Sequence, residues 1–281
     1  LFSKSVARTL LAKIYAEKPL RDYTKVIQYC DEVKADGFDL VDDFSDLFGM
    51  NAAGTDAKMR NTKESILEAQ FTSGAGNWCT WMFGRDLVNW NNNFTWAKWV
   101  TPSRDLISAF KQEGDEVRFK ESIVYYDCNW SNYYPSDNYP FMYKCRSANS
   151  SIIKYRYADV LLLKAEALIM QDTPDLEGAA DIIDEVRDRA KLGALPTSVR
   201  SNKNVLLNAL LKERRLELAF EGQRWFDLVR LDKVEEVMNA VYSKDSGRKA
   251  QIYTFDKNSY RLPIPQSVID ANDKIHQNPG Y

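Results

Sequence analysis

Apolar residues recur every three or four positions at the beginning of the chain, which is the spacing of an amphipathic helix. The repeating apolar positions within residues 2–17 are Val6, Leu10, Leu11 and Ile14. Ala7 and Ala12 are small enough to let a neighbouring helix approach closely. A break at residues 18–21, followed by an N-cap at Asp22, predicts a second helix that stops at Gly37. The pattern therefore predicts an antiparallel helical hairpin of the tetratricopeptide type.

The same helical spacing returns in the second half of the chain. Residues 157–168 predict one helix, and apolar positions between Ala179 and Val186 predict another that begins near Pro174. A third helix is predicted over residues 203–220, with an interruption near Gly222 and a shorter segment up to about residue 240. We expect residues 1–48 and 151–240 to form a helical framework, and residues 241–281 to form an extended C-terminal segment that packs back on it.

The middle of the chain, residues 49–150, has a different pattern. The helical period fades, Gly, Asn, Ser and aromatic residues increase, and residues 66–71 and 122–126 look like short strands. A loop-rich stretch of this length inside a compact chain is usually functional. The sequence predicts a mainly α fold of one domain, in which helical hairpins support a loop-rich ligand-binding segment with a few short strands.

The composition and net charge exclude several classes of function. Hydrophobic residues make up 44% and charged residues 28% of the 281 residues, as in an ordinary globular protein. The net charge of −2 gives no general attraction to nucleic acid or to anionic lipid. The longest purely aliphatic run is Val160 to Leu163, far below the roughly 18 residues that a membrane-spanning helix needs.

The inventory of reactive residues gives no catalytic site. The single histidine is His276, and no nucleophile lies in a recognisable elbow. The glycine motifs that cradle phosphate are absent from the sequence, so neither a nucleotide nor another cofactor is predicted, and no metal site is predicted. A pair of carboxylates in the middle segment, as in a glycoside hydrolase, stays open as an alternative because such a pair needs only to be close in space.

The strongest functional signal is aromatic. Five of the seven tryptophans lie within 22 residues, interleaved with asparagines: they are Trp78, Trp81, Trp90, Trp96 and Trp99. An indole ring presents a flat apolar face to the C–H face of a sugar, and neighbouring amides can bond its hydroxyls. We predict that the ligand-binding residues are Trp78, Trp81, Trp96, Asn77, Arg85 and Asn92. The alternative is that most of these rings fill a loop-rich layer, and we expect two or three of the five to be core.

The densest charged run is residues 213–224. On a helix, Arg214, Glu217, Glu221 and Arg224 would follow one another at steps of three and four, so that opposite charges become neighbours. Apolar residues flank this run on both sides. We expect these charges to be partly buried and to form a fixed pairing between helices.

Four stretches, together with a central strand, resemble the SusD/RagB family. They are KYRYADVLLLKAEA at 154–167, ERRLELAFEGQRWFDL at 213–228, RLPIP at 261–265 and QNPGY at 277–281, with ESILEAQF at 64–71 as the strand. Their order and spacing make the resemblance specific, and it covers essentially the whole chain. The resemblance implies a SusD-like fold.

The resemblance also implies a function. Members of the family are surface lipoproteins of the Bacteroidetes outer membrane that capture oligosaccharides and pair with a SusC-like TonB-dependent transporter. Some relatives bind peptides instead, and a purely structural lid on the transporter is a further alternative. Family members begin with a lipoprotein signal, a lipidated Cys and further helical repeats. None of these is in the given sequence, so membrane association is expected only through an anchor that this chain does not contain.

Overall fold

The computed structural model of the chain describes residues 2–71, 76, 101–128, 133–244 and 254–281. The α-helices in these ranges are α1 (Lys4–Ala16), α2 (Tyr23–Ala35), α3 (Ser45–Phe48), α4 (Arg104–Glu113), α5 (Glu116–Ser122), α6 (Tyr157–Met170), α7 (Leu176–Arg189), α8 (Thr197–Arg200), α9 (Lys203–Glu217), α10 (Arg224–Arg230), α11 (Val234–Lys244) and α12 (Gln266–Ala271). The strands are β1 (Ser65–Ala69), β2 (Ile123–Tyr126), β3 (Tyr139–Met142) and β4 (Ile152–Arg156). The mainly α fold with a few short strands is thus confirmed.

The chain divides into two compact units, Leu1–Arg224 and Trp225–Tyr281. In the first unit, the hairpin of α1 and α2 packs against the hairpin of α6 and α7. Alanines make this close packing possible, since Ala12 and Ala16 of α1 and Ala158 and Ala165 of α6 are all fully buried. Both hairpins that the apolar spacing predicts are therefore present.

The first helix buries a different face from the one that its large residues suggest. The side chains that α1 buries are Ser5, Val6, Thr9, Ala12 and Ala16. Leu10 and Ile14 are 45% and 37% exposed, and Ala7 is also exposed. The helix carries apolar residues on two faces, and its contact with α2 and α6 uses the face with the small residues. The expectation that Leu10, Ile14 and Ala7 pack inward was wrong for this reason.

The second helix follows its sequence signals closely. The Asp22 carboxylate accepts a hydrogen bond from the Lys25 amide, as expected of an N-cap, and Gly37 has a positive φ of 94° just after the helix ends. In contrast, α9 ends at Glu217, three residues before the predicted end. Phe220 has φ 65° and Gly222 has φ 77°, and this left-handed turn ends the helical stretch.

The middle segment is more regular than its sequence suggests. Helix α4 begins at Ser103, whose hydroxyl accepts from the Leu106 amide, and it ends at Gly114 with φ 69°. Helix α5, which the sequence pattern did not indicate, begins at Asp115. Strand β2 pairs with β3, and β1 pairs with β4, both antiparallel. Strand β4 leads directly into α6, so the helical framework of the second half starts at Tyr157 and not at residue 151.

In the second unit, several side chains bond to backbone groups. The Asn239 amide bonds both the N–H and the C=O of Phe255. Gln277 does the same for Ile264, and Asp256 forms a capping box with Ser259. Throughout the part of the chain that the structure describes, every helix is too short or too polar to cross a bilayer.

Candidate functional site

The predicted ligand-binding residues all lie outside the described ranges. Trp78, Trp81, Trp96, Asn77, Arg85 and Asn92 belong to residues 77–100, as do Trp90 and Trp99. Their roles therefore stay predictions. What the structure does describe is the pair of residues on either side of that stretch, Gly76 and Thr101, and the part of the protein that they contact.

Both flanking residues approach strand β3 or the loop that follows it. A Cβ atom on Gly76 would lie 3.0 Å from Ala148 Cβ, so glycine allows a close approach there. On the other side, Thr101 Oγ1 shares a hydrogen bond of 2.7 Å with the hydroxyl of Tyr139. The next residue, Pro102, accepts a hydrogen bond of 2.8 Å from the hydroxyl of Tyr134. The tryptophan-rich stretch thus begins and ends on the same strand-loop region.

Four aromatic rings pack in a chain beside these anchors. Tyr133 and Tyr134 meet edge to face at 4.8 Å, Tyr134 meets Tyr139 at 5.7 Å, and Tyr139 meets Phe141 at 5.3 Å between ring centroids. Tyr139 and Phe141 are 1% exposed, whereas Tyr133 and Tyr134 are half-buried. The aromatic cluster therefore has a core end and an accessible end. We call the segments that carry it, residues 125–126 and 133–143, the aromatic hairpin.

A cation that the sequence analysis did not single out holds the accessible end. The Arg104 guanidinium lies over the rings of Tyr133 and Tyr134, at 4.0 and 4.6 Å from their centroids, and it donates to the Tyr133 carbonyl. Arg104 is the first residue of α4, immediately after the Ser103 cap. The only signal that could have found it is this position, two residues after Pro102 in a stretch rich in aromatics.

Burial changes the pKa of two tyrosine hydroxyls in the aromatic hairpin. It raises the pKa of Tyr125, and it raises the pKa of Tyr139 against the opposing effect of the Thr101 hydrogen bond. These phenols stay neutral at physiological pH, so they can donate and accept hydrogen bonds. Half-buried Tyr126 and Tyr133 present ring surface for stacking. The arrangement suits a neutral polyhydroxylated ligand.

The charged run at residues 213–224 contributes to a buried network of ion pairs. Glu217 is 0% exposed; Arg118 Nη1 donates to it at 3.0 Å and Arg156 Nη1 at 2.5 Å, and Arg189 also donates to it. Burial alone would raise the pKa of Glu217, but attraction to these three arginines holds that pKa well below its usual range. The carboxylate is therefore ionised at neutral pH.

The network extends to the end of strand β4 and to the chain just beyond β3. Arg156, the last residue of β4, also bonds Glu64 Oε1 at 2.7 Å and Glu221 Oε2 at 2.6 Å. Lys144, two residues beyond β3, donates to Glu221 Oε1 at 2.6 Å and to the Glu217 carbonyl at 2.8 Å. Burial lowers the pKa of Lys144 to about 8. The network thus fixes the last residue of β4 and the chain just beyond β3 against α9.

The expected burial of the charged run and its pairing with another helix are observed, but the run does not form one continuous charged face. Arg214 bonds Asp159 of α6, and Arg224 donates to the Leu211 carbonyl. The helix ends at Glu217, so Glu221 is not on it. Burial would raise the pKa of Asp159, but Lys13 and Arg214 together hold it well below its usual range. Partners come from other elements because the turn at Phe220 breaks the predicted charged face.

Among the described residues, the buried acids with a raised pKa are enclosed in this network. Burial raises the pKa of Asp115 and of Glu213, and both carboxylates bond the Arg118 guanidinium. A general acid needs access to substrate as well as a raised pKa. His276 is exposed, and the described ranges contain no cluster of His, Cys, Asp or Glu that could hold a metal ion. Cys30, Cys128 and Cys145 are buried and form no disulfide with one another.

The protein thus belongs to the class in which a scaffold of helical hairpins carries a partly exposed aromatic region, here the aromatic hairpin. Residues 142–281 match the model of the SusD family. A SusD-like protein of Formosa agariphila is 36% identical over 143 residues, which cover 48% of this chain and 27% of that protein. The chain belongs to the SusD/RagB family.

Two solved structures show the same fold. Surface glycan-binding protein A from Bacteroides uniformis superposes with a TM-score of 0.75 at 20% identity, over 99% of this chain and 61% of that one. A laminarin-binding SusD-like protein superposes with a TM-score of 0.69 at 24% identity, over all of this chain and 63% of that one. This chain therefore spans less than two thirds of the length of these structures.

Proposed function

We propose that this protein binds oligosaccharides at the cell surface and passes them to a SusC-like TonB-dependent transporter of the outer membrane. Binding, and not hydrolysis, is the proposed activity. In this proposal residues 49–150 form the ligand-binding segment, and a lipid anchor holds the protein to the membrane. The family supports this role, as do the two similar structures, one of a surface glycan-binding protein and the other of a laminarin-binding SusD-like protein.

One observation about this chain carries the proposal. Of the residues that flank the tryptophan-rich stretch, Gly76 approaches Ala148 in the loop after β3, and Thr101 and Pro102 are bonded to the aromatic hairpin. A stretch with five tryptophans and few charges therefore finishes beside the tyrosines of the aromatic hairpin, two of which Arg104 holds. Flat rings, amides and neutral phenols in one region are what a sugar ligand requires.

Within this proposal the residues have separate roles. Trp78, Trp81 and Trp96 stack on sugar rings, and Asn77, Arg85 and Asn92 bond hydroxyl groups. Tyr133 extends the stacking surface, and Arg104 is a positioning residue because it acts on the ligand through the rings that it holds.

Calorimetric titration with laminarin oligosaccharides, and then with a panel of other glycans, tests the proposal. Alanine at Trp78, Trp81 or Trp96 should weaken binding by about 1 to 3 kcal/mol, the scale of stacking on an aromatic ring. Trp225→Ala is the matched control, since that ring packs near Phe255 in the second unit and should leave affinity unchanged. If all three variants bind every glycan as the parent does, the tryptophan platform is refuted.

A positioning role for Arg104 has its own test. Arg104→Lys keeps the charge but cannot cover two rings as a planar guanidinium does. It should weaken glycan binding several-fold while the transition midpoint in urea changes little. Equal affinity in this variant and the parent would remove Arg104 from the site.

Two other functions are separated by simple assays. A peptide-binding member of the family would bind peptides and none of the glycan panel in the same calorimetric titrations. A glycoside hydrolase would release reducing sugar from the glycans that it binds, and the enclosure of Asp115 and Glu213 in the network argues against those two as its acid. Copurification with a SusC-like transporter from outer membranes tests the delivery step.

A further inference from the structure

The first unit contains a cavity that the proposed glycan site does not use. Its volume is about 380 Å³, and it lies between the end of β3, strand β4 and the turn after α9. Its apolar lining residues are Phe48, Met142, Ile152, Ile153 and Phe220. No tyrosine of the aromatic hairpin lines it. A cavity of about 150 Å³ is enough to hold benzene, so this one has room for a body of two fused rings.

The walls of the cavity are held in place. Phe220, one of the lining residues, has a left-handed backbone with φ 65°, which is costly for a bulky side chain and persists only where surrounding packing fixes it. The Phe220 side chain packs against the buried cluster that includes Phe110 and Leu216. Met142 and Ile153 are 6% and 8% exposed. The space is therefore preformed, which reduces the cost of filling it.

Two lysines line the cavity and differ in their partners. The Lys144 ammonium is buried and already bonded to Glu221 and to the Glu217 carbonyl, so its charge is compensated. Lys154 is exposed, and no carboxylate of the described residues pairs with it. The cavity thus combines an apolar interior with one uncompensated positive charge where it meets solvent.

We propose that this cavity is a second ligand site, which binds an amphipathic carboxylate. The apolar body, of one or two rings, fills the space between Phe48, Ile152 and Phe220, and the carboxylate pairs with Lys154. Burial of the rings supplies most of the affinity, and the exposed ion pair adds a smaller amount that sets orientation. The inference does not rest on glycan binding, because neither Arg104 nor any tyrosine of the aromatic hairpin lines the cavity.

Titration of the intact protein with 2-naphthoate, followed by calorimetry, tests the site. The expected result is saturable binding of one molecule per chain. Lys154→Gln should weaken naphthoate about threefold and remove most of the salt dependence, while Lys111→Gln, at an exposed lysine on α4, should change nothing. The neutral analogue 2-naphthol should bind the parent and Lys154→Gln equally.

A cavity-filling variant separates the site from general surface binding. Ile152→Phe keeps a residue suited to a strand and adds volume to the cavity. It should weaken both naphthoate and naphthol at least tenfold, with helical circular dichroism and glycan affinity unchanged. The inference is overturned if naphthoate does not saturate at one molecule per chain, or if Ile152→Phe binds it as the parent does. It is equally overturned if Lys154→Gln and Lys111→Gln give the same affinity.

Discussion

Glu217 should be among the side chains most costly to change in this protein. It is fully buried and receives hydrogen bonds from three arginines of three different elements. Glu217→Gln keeps the shape of the side chain and removes its charge, so the substitution isolates the electrostatic contribution. Loss of one partner from a buried ion pair typically costs about 3 to 5 kcal/mol, since a buried charge is left without compensation.

The structure places the expected cost at the lower end of this range. Each arginine keeps another acid when Glu217 becomes neutral: Arg118 keeps Asp115 and Glu213, Arg156 keeps Glu64 and Glu221, and Arg189 keeps Glu64. No guanidinium is left entirely unpaired. We therefore expect a loss of about 3 kcal/mol, a large part of the roughly 5 to 15 kcal/mol that stabilises a typical protein.

Urea unfolding followed by helical circular dichroism measures this loss. The midpoint should fall while the slope stays constant, since the surface exposed on unfolding is the same. Glu236→Gln is the matched control, because that side chain is 66% exposed and pairs only with Lys233 in the described part of the chain; it should change stability by less than about 0.5 kcal/mol. A Glu217→Gln protein within 1 kcal/mol of the parent would show that the network is not energetically coupled as its geometry indicates.

Three further predictions follow from single side chains and from the charge of the binding segment. Burial lowers the pKa of Lys144 from 10.5 to about 8, so between these two pH values the unfolded chain binds one proton more than the folded chain. The stability of the parent relative to Lys144→Met should therefore rise by roughly 2 to 4 kcal/mol from pH 8 to pH 10.5 in urea melts. A stability difference that does not change with pH would contradict this. Asp22→Ala removes the cap on the Lys25 amide, 3.1 Å away, and should cost about 1 kcal/mol in thermal unfolding, whereas Asp22→Asn should not. Glycan affinity should be nearly independent of ionic strength, because residues 74–101 carry only Arg85, Asp86 and Lys98 as charges; a steep fall in titrations at high salt would indicate an anionic ligand.

The helices could be predicted because their signals are local. Asp22 and Gly37 mark the ends of α2, and the apolar spacing of residues 157–168 marks α6, without reference to the rest of the chain. The buried face of α1 could not be predicted in the same way. Leu10 and Ile14 have the right spacing for a core, and only the position of α2 and α6 shows that Ala12 and Ala16 are the residues in contact.

The types of residue in the candidate site could be predicted from the sequence, but the places where they attach to the rest of the fold could not. The concentration of tryptophan between residues 78 and 99 is visible in the sequence, but the anchors at Thr101 and Pro102 depend on contacts with residues more than 30 positions away. The ionic network shows the same limit. Burial of Glu217 follows from its apolar neighbours, whereas its partners Arg118 and Arg156 lie on other elements and have no local signal that pairs them with it.

The same network constrains the order in which the chain can fold. Glu64 and Arg189 are 125 residues apart in sequence, and Arg118 and Glu217 are 99 apart. Closing loops of this length is entropically costly, so contacts of high sequence separation form late and slow the approach to the native state. The α1–α2 hairpin can form as soon as it is synthesised, but β1 cannot reach its final ionic partners until α7 and α9 exist. Folding of the strand region is therefore a late event, and a nascent chain that stops before residue 217 lacks the one carboxylate that Arg118, Arg156 and Arg189 share.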